Sequence, residues 1–196
     1  MNKTEKYELV ASKRAVSKQG FTLIELVVVI AILAILAAFA LPRFADLDDE
    51  AELASAGYIA ASFRVSVQLV KQLFIVGGYT NKTQNIPGFG DGTVDTNSQG
   101  YPIGINKGTG NENVGQGNQG CASVWSAILS DAPSVSITND GSDYQSYRHT
   151  ANKVCSYVYR RGGDTGNQNT GQIVIKYDSV SGAVTLCGQH PKLSSC

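Results

Sequence analysis

The sequence predicts an α+β chain in which a C-terminal antiparallel sheet packs on the second half of one long N-terminal helix. Three observations lead there. From Phe21 to Leu41 run 21 residues with one hydroxyl, Thr22, and one carboxylate, Glu25. As a helix rising ~1.5 Å per residue this run is about 31 Å long, the thickness of a bilayer's hydrocarbon core. Phe44, Leu47, Ala51 and Ala54, then Ile59, Phe63, Val67, Val70 and Phe74, recur at three- and four-residue steps, the pattern of one buried helical face. Beyond residue 150 the period drops to two, over Val154 to Tyr159, Ile173 to Tyr177 and Ala183 to Cys187, which is the strand pattern.

Taken in order, residues 1–20 hold five basic residues (Lys3, Lys6, Lys13, Arg14, Lys18) and two acidic ones (Glu5, Glu8) with no apolar stretch of their own. They form a basic leader rather than a complete signal peptide. Over the whole chain the 16 basic residues balance the 16 acidic ones, so nothing in the charge favours nucleic acid as a partner. Basic residues before the apolar span and an acidic remainder after it place the N-terminus in the cytoplasm and the body outside. A signal peptide cut after Ala38-Phe39-Ala40 is the competing reading, but its apolar segment is too long and Glu25 has no role in it. An ionisable group in an apolar span costs roughly 2.5–3.5 kcal/mol and calls for a cationic partner. Cleavage after Gly20 would create one, the amine of Phe21, about one helical turn from Glu25.

Gly20-Phe21-Thr22-Leu23-Ile24-Glu25 before a long apolar run resembles the processing site of type IV prepilins. The resemblance implies a membrane peptidase and methyltransferase that cuts after Gly20 and N-methylates Phe21, with Glu25 pairing to a neighbouring subunit's N-terminus during assembly. It implies a single-pass precursor in the inner membrane, then an extracellular pilus that is a polymer of this chain, built by an inner-membrane assembly machinery and adhering to a carbohydrate or other surface ligand. Pro42-Arg43-Phe44, followed by Leu47 and acidic residues, is similar to the start of mannose-sensitive haemagglutinin (MSHA) pilins. The 20-residue leader is long for type IVa pilins, whereas Phe21 suits them. The alternatives are a pseudopilin or minor pilin, with the same N-terminus, and a single-span tethered binding domain, whose N-terminus would stay intact.

Pro42 lacks a backbone donor and crowds the preceding turn, so a kink is expected between the 21–41 span and the amphipathic half, 42–76. Asp46, Asp48, Asp49, Glu50 and Glu52 read either as a solvated stretch or as partners for Arg43 of another subunit. Gly77-Gly78 ends the helix. Residues 77–120 hold 12 of the 21 glycines and read as an exposed loop. Within it Asp91, Asp95 and Asn97 suggest either a calcium site or, better, turn residues. Cys121 to Leu129 has the pattern of a short amphipathic helix, and Asp178 to Gly182 suits a hairpin turn. Residues 121–196 thus form a disulfide-closed sheet region.

Cys121, Cys155, Cys187 and Cys196 all lie in the exported part, an even number that reads as two disulfides with three possible connectivities. Their spacing is not that of a metal site. The resemblance to pilins implies that Cys187 and Cys196 close a loop around Pro191, which leaves Cys121 to pair with Cys155. No catalytic motif is present, so neither an enzyme nor a cofactor is expected. His149 and His190 read as exposed loop residues, Arg148, Arg160 and Arg161 as solvated cations, and Asn81-Lys82-Thr83 fits a glycosylation acceptor.

Overall fold

The computed structural model describes residues 20–108 and 110–196, with the side chains of Pro42, Phe44, Ala45 and Asp46 left aside. The leader therefore lies outside the described residues, apart from Gly20. In chain order the elements are α1 (Leu23–Val76), β1 (Val94–Thr96), β2 (Pro102–Ile105), α2 (Gly117–Ile128), β3 (Val135–Ser136), β4 (Tyr144–His149), β5 (Val154–Tyr159), β6 (Val174–Asp178) and β7 (Val184–Cys187). The chain divides into a unit ending at Asp46 and a unit running from Leu47 to Cys196.

The first unit is helix. Its stretch Leu23–Leu41 has a mean hydropathy of 3.0 and none of it is buried, so among the described residues nothing covers a span long and apolar enough to cross a membrane. The helical assignment passes through Pro42. The kink expected there concerns a side chain outside the described residues.

In the second unit α1 buries Ala56, Ala60, Phe63, Val67, Val70 and Phe74, alternating four- and three-residue steps that keep one seam turned inward. This corrects the expected face at its start. Leu47 is 59% exposed, and Ala51 and Ala54 are exposed as well, because the seam enters through the small residues 56 and 60 rather than through 47, 51 and 54. Leu47–Val76 is also apolar enough to pass as a span, yet its inward seam is filled by the head. The helix ends as its glycines dictate. Gly78 has φ of 70°, its N–H donates to the Ile75 carbonyl and that of Tyr79 to the Phe74 carbonyl. The Phe74 and Tyr79 rings then meet at 5.9 Å, the apolar contact that accompanies such a C-terminus.

β3 to β7 form one sheet in chain order, antiparallel except that β3 runs parallel to β4. The sheet is antiparallel over β4 to β7, as expected, with the two-residue β3 added in parallel at its edge, and β4, with His149 at its end, replaces an expected loop. Its inner face presents Tyr144, Tyr157, Ile175, Tyr177 and Val184 to Phe63, Val67 and Val70 of α1 and Val124, Trp125 and Ile128 of α2 in one core. Three buried polar tips are satisfied: Tyr157 Oη donates to the Cys121 carbonyl, Tyr177 Oη to Pro102 and Trp125 Nε1 to Pro133, which avoids the cost of orphaning those donors. Val158, Val174 and Cys187 form a smaller cluster with Tyr147 on the opposite side of the sheet, as the strand alternation requires.

Residues 77–120 are not simply an exposed loop. They contain the β1–β2 antiparallel hairpin, with an irregularity between Asp95 and Thr96, and they bury Ile86, Val94, Ile103 and Val114 completely. These residues are too widely spaced for a periodic signal. At Gly100, φ is 83° and an added Cβ would fall 2.6 Å from the Phe74 ring, so glycine is required both by conformation and by space. Disulfides join Cys121 to Cys155 and Cys187 to Cys196, with sequence separations of 34 and 9. Chain-entropy arguments assign the first about 4 kcal/mol and the second about 2.5.

Candidate assembly site at the helix N-terminus

Gly20 and Phe21 precede the first turn of α1, exposed, and Phe21 is 91% accessible. A Cβ built on Gly20 meets nothing within 4 Å. Thr22 then caps the helix. Its N–H donates to Glu25 Oε2 at 2.9 Å and its hydroxyl to the same oxygen at 2.7 Å, while the Glu25 N–H donates to Thr22 Oγ1 at 3.3 Å. This is a reciprocal capping box, which satisfies donors that the first helical turn leaves unpaired. Its signature, Thr-x-x-Glu before an apolar run, was present in the sequence and was missed as a local signal there.

The box has a chemical consequence. It commits Glu25 Oε2 and fixes the side chain, and Oε1 takes no hydrogen bond among the described residues. One apolar helix therefore begins with an oriented carboxylate oxygen in reserve, one turn from the backbone nitrogen of residue 21.

The other residues singled out from the sequence are scattered and structurally employed. Asp91 Oδ1 accepts from the N–H and hydroxyl of Thr93, buried Asp95 accepts from the N–H groups of Asn85 and Lys107, and Asn97 Oδ1 accepts from Gln99 and Tyr101. Each closes its own turn. Among the described residues no group of three or more His, Cys, Asp or Glu side chains is placed to hold a metal. Arg148 donates to the carbonyls of Val114 and Gly115, Arg160 to Gln145, Tyr147 and Asp164, and Arg161 pairs with Asp143. Arg148 and Arg160 are thus internal ties, whereas Arg161 forms its pair at the surface and stays solvated as expected.

His149 reaches Ser156 Oγ at 2.8 Å and Thr150 Oγ1 at 2.9 Å, and burial first, then Lys176, holds its pKa below the ordinary value. Ser156 is fully buried, so this pair offers no accessible nucleophile. In the acidic stretch Glu50 pairs with Lys192. Glu52 has its carboxyl pushed up by burial and then by Asp49 and Asp48, so this stretch is not simply solvated. Asn81 is exposed, and its carbonyl accepts from Thr83 Oγ1.

Residues 16–41 match the family described as the prokaryotic N-terminal methylation motif. The chain is similar to the type IV narrow pilus major component PilA5 of Thermus thermophilus, 54% identical over 46 residues, which are 24% of this chain and 40% of that protein. The chain thus spans about two-fifths of the length of the curated relative it matches. No solved structure matches. That motif stands at the start of a long helix whose second half is packed on a C-terminal sheet, and over this N-terminal part the chain is similar to a type IV pilus component.

Proposed function

We propose that the chain is the structural subunit of a type IV pilus: a single-pass inner-membrane precursor, cut after Gly20 and methylated at Phe21 by a prepilin peptidase and methyltransferase, then polymerised by an inner-membrane machinery into an extracellular adhesive fibre. It acts without catalysis. The observation that carries this reading is the wholly exposed apolar helix Leu23–Leu41 that opens on the Thr22–Glu25 box. Such a surface needs lipid before assembly and neighbouring helices after it. In the second unit α1 has an exposed apolar stripe of its own, where Tyr58, Val65 and Leu69 are 72%, 58% and 47% exposed.

In this reading residues 21–41 form the fibre core, a bend at Pro42 adapts the helix to its neighbours, and 42–76 carry the head. Glu25 then receives the Phe21 ammonium of an adjacent subunit. Burying that ammonium without a counter-charge costs about 3–5 kcal/mol at each added subunit. The similarity to MSHA pilins rests on residues 42–47 and the acidic stretch after them. The test measures surface fibre yield alongside membrane subunit level for Glu25→Ala and Glu25→Gln. Both variants should insert and neither should elongate. Wild-type fibre yield from Glu25→Ala would overturn the pairing. An unprocessed N-terminus in sheared surface material would replace this reading with that of a tethered binding domain.

A further inference from the structure

The second unit holds a cleft of about 360 Å³ between the turn before β1, the edge of β2, the outer surface of α2 and β3, within the range of roughly 300–1,000 Å³ typical of ligand sites. Its lining is of two kinds. Ile105, Ala122 and Val135 supply small apolar patches, and Asp91, Thr93, Gln119 and Ser126 supply hydrogen-bonding groups. Ile105 is 39% exposed, an apolar side chain left uncovered at a sheet edge.

We propose that this cleft binds a neutral polyhydroxylated ligand, a mono- or disaccharide. Asp91 is the single charged group of the lining. Its Oδ1 is held by the hydroxyl of Thr93 at 2.6 Å and the N–H of Thr93 at 3.1 Å, whereas its Oδ2 takes no hydrogen bond from another residue among those described. The Thr93 hydroxyl first, and then the Thr93 N–H, keep the carboxyl below its usual range. Near neutral pH the cleft therefore offers an oriented acceptor that cannot donate. Sugar hydroxyls are suitable donors to it, and carbon-bound hydrogens on a sugar face match Ile105, Ala122 and Val135.

The competing classes fit less well. An anion would meet the Asp91 charge, and a divalent cation would lack the further carboxylates it favours. A wholly apolar ligand would leave Asp91 Oδ2 and the Gln119 amide desolvated and unpaired, at about 1–3 kcal/mol each. No aromatic ring lines the cleft, so a single site is weak. Repetition along a fibre raises avidity by about 10²–10⁴ without any new contact. The proposal deepens the adhesive part of the function proposed above, but binding by one subunit does not require assembly.

The test uses the full chain with its disulfides intact in phosphocholine micelles, where it stays unassembled and the detergent itself carries no sugar. Lactose, maltose and cellobiose are titrated into the ¹⁵N-labelled protein through the millimolar range. At least one should give saturable shifts confined to the amides of residues 91–93, 105 and 119–127. Asp91→Asn preserves the turn and should weaken that binding at least about tenfold, the equivalent of one charge-assisted hydrogen bond. Ser126→Trp, made at an exposed helix position, fills the cleft and should abolish it. Spectra unchanged elsewhere establish that both variants are folded. Absence of saturable shifts with all three sugars, shifts centred on another surface, or undiminished affinity in either folded variant overturns the proposal. None of these results bears on fibre yield from the Glu25 variants, so failure of the cleft and failure of the pilus reading are separable.

Discussion

Phe63 and Tyr58 lie five residues apart on α1 and face opposite ways, so truncating each separates folding from assembly. Phe63 is fully buried, and its ring centroid is 5.7 Å from that of Trp125, 5.6 Å from Tyr157 and 5.4 Å from Tyr177. Phe63→Ala removes a buried ring and leaves a cavity, at about 3–5 kcal/mol. Three aromatic partners, each worth about 0.5–1.5 kcal/mol beyond burial, place it in the upper part of that range. With a urea m-value of about 2 kcal/mol/M the midpoint should fall by about 2 M. The assay is urea unfolding of the oxidised chain in detergent micelles, followed through Trp125, the single tryptophan, which lies in the same core. Tyr58 is 72% exposed, so Tyr58→Ala should stay within about 0.5 kcal/mol, or about 0.25 M, while lowering fibre yield. A Phe63→Ala midpoint within about 0.5 M of the parent, or an equal shift for Tyr58→Ala, would refute the assignment of the two faces.

Thr22→Val keeps the branched shape and removes the hydroxyl from the capping box, which should cost about 1 kcal/mol at the helix start. Amide exchange in the first turn of α1 should accelerate about fivefold, with a fibre yield between those of the parent and Glu25→Ala; unchanged exchange would show that the hydroxyl does not cap. For His149, burial and then Lys176 depress the folded pKa below 6.5, and Thr150, Ser156 and Lys176 are the groups that face it. A depressed pKa means the unfolded chain binds the proton more readily, so the stabilisation is present above pH 6.5 and is lost as pH falls through the folded value. The urea midpoint of the parent should therefore decline below about pH 6.5 more steeply than that of His149→Gln. Parallel declines over that window would remove the imidazole from the account.

The parts legible in the sequence were those whose signals are local. The apolar run from Phe21 names the long helix, Gly77-Gly78 names its end through a left-handed position that glycine adopts readily, and the alternation over 154–159, 173–177 and 183–187 names three adjacent strands. Each depends on residues a few positions apart. Even so, the helix seam was misplaced at its start, since Leu47, Ala51 and Ala54 satisfy the same periodicity as Ala56 and Ala60. Periodicity states that a face exists, and only the partner surface states which of two apolar stripes it covers.

Apart from α2, whose pattern over Cys121 to Leu129 is legible, residues 77–149 resist reading for a related reason. Ile86, Val94 and Val114 enter the main core from widely separated positions, and β3 and β4 are held by a register that no short window contains. The site divides in the same way. Gly20, Phe21, Thr22 and Glu25 are neighbours along the chain, so sequence alone determined their juxtaposition, which one helical turn enforces. The cleft gathers Asp91, Ile105, Gln119, Ser126 and Val135 from positions up to 44 residues apart, and tertiary structure alone decided it, because the contacts that bring these residues together are made by the buried core beneath them.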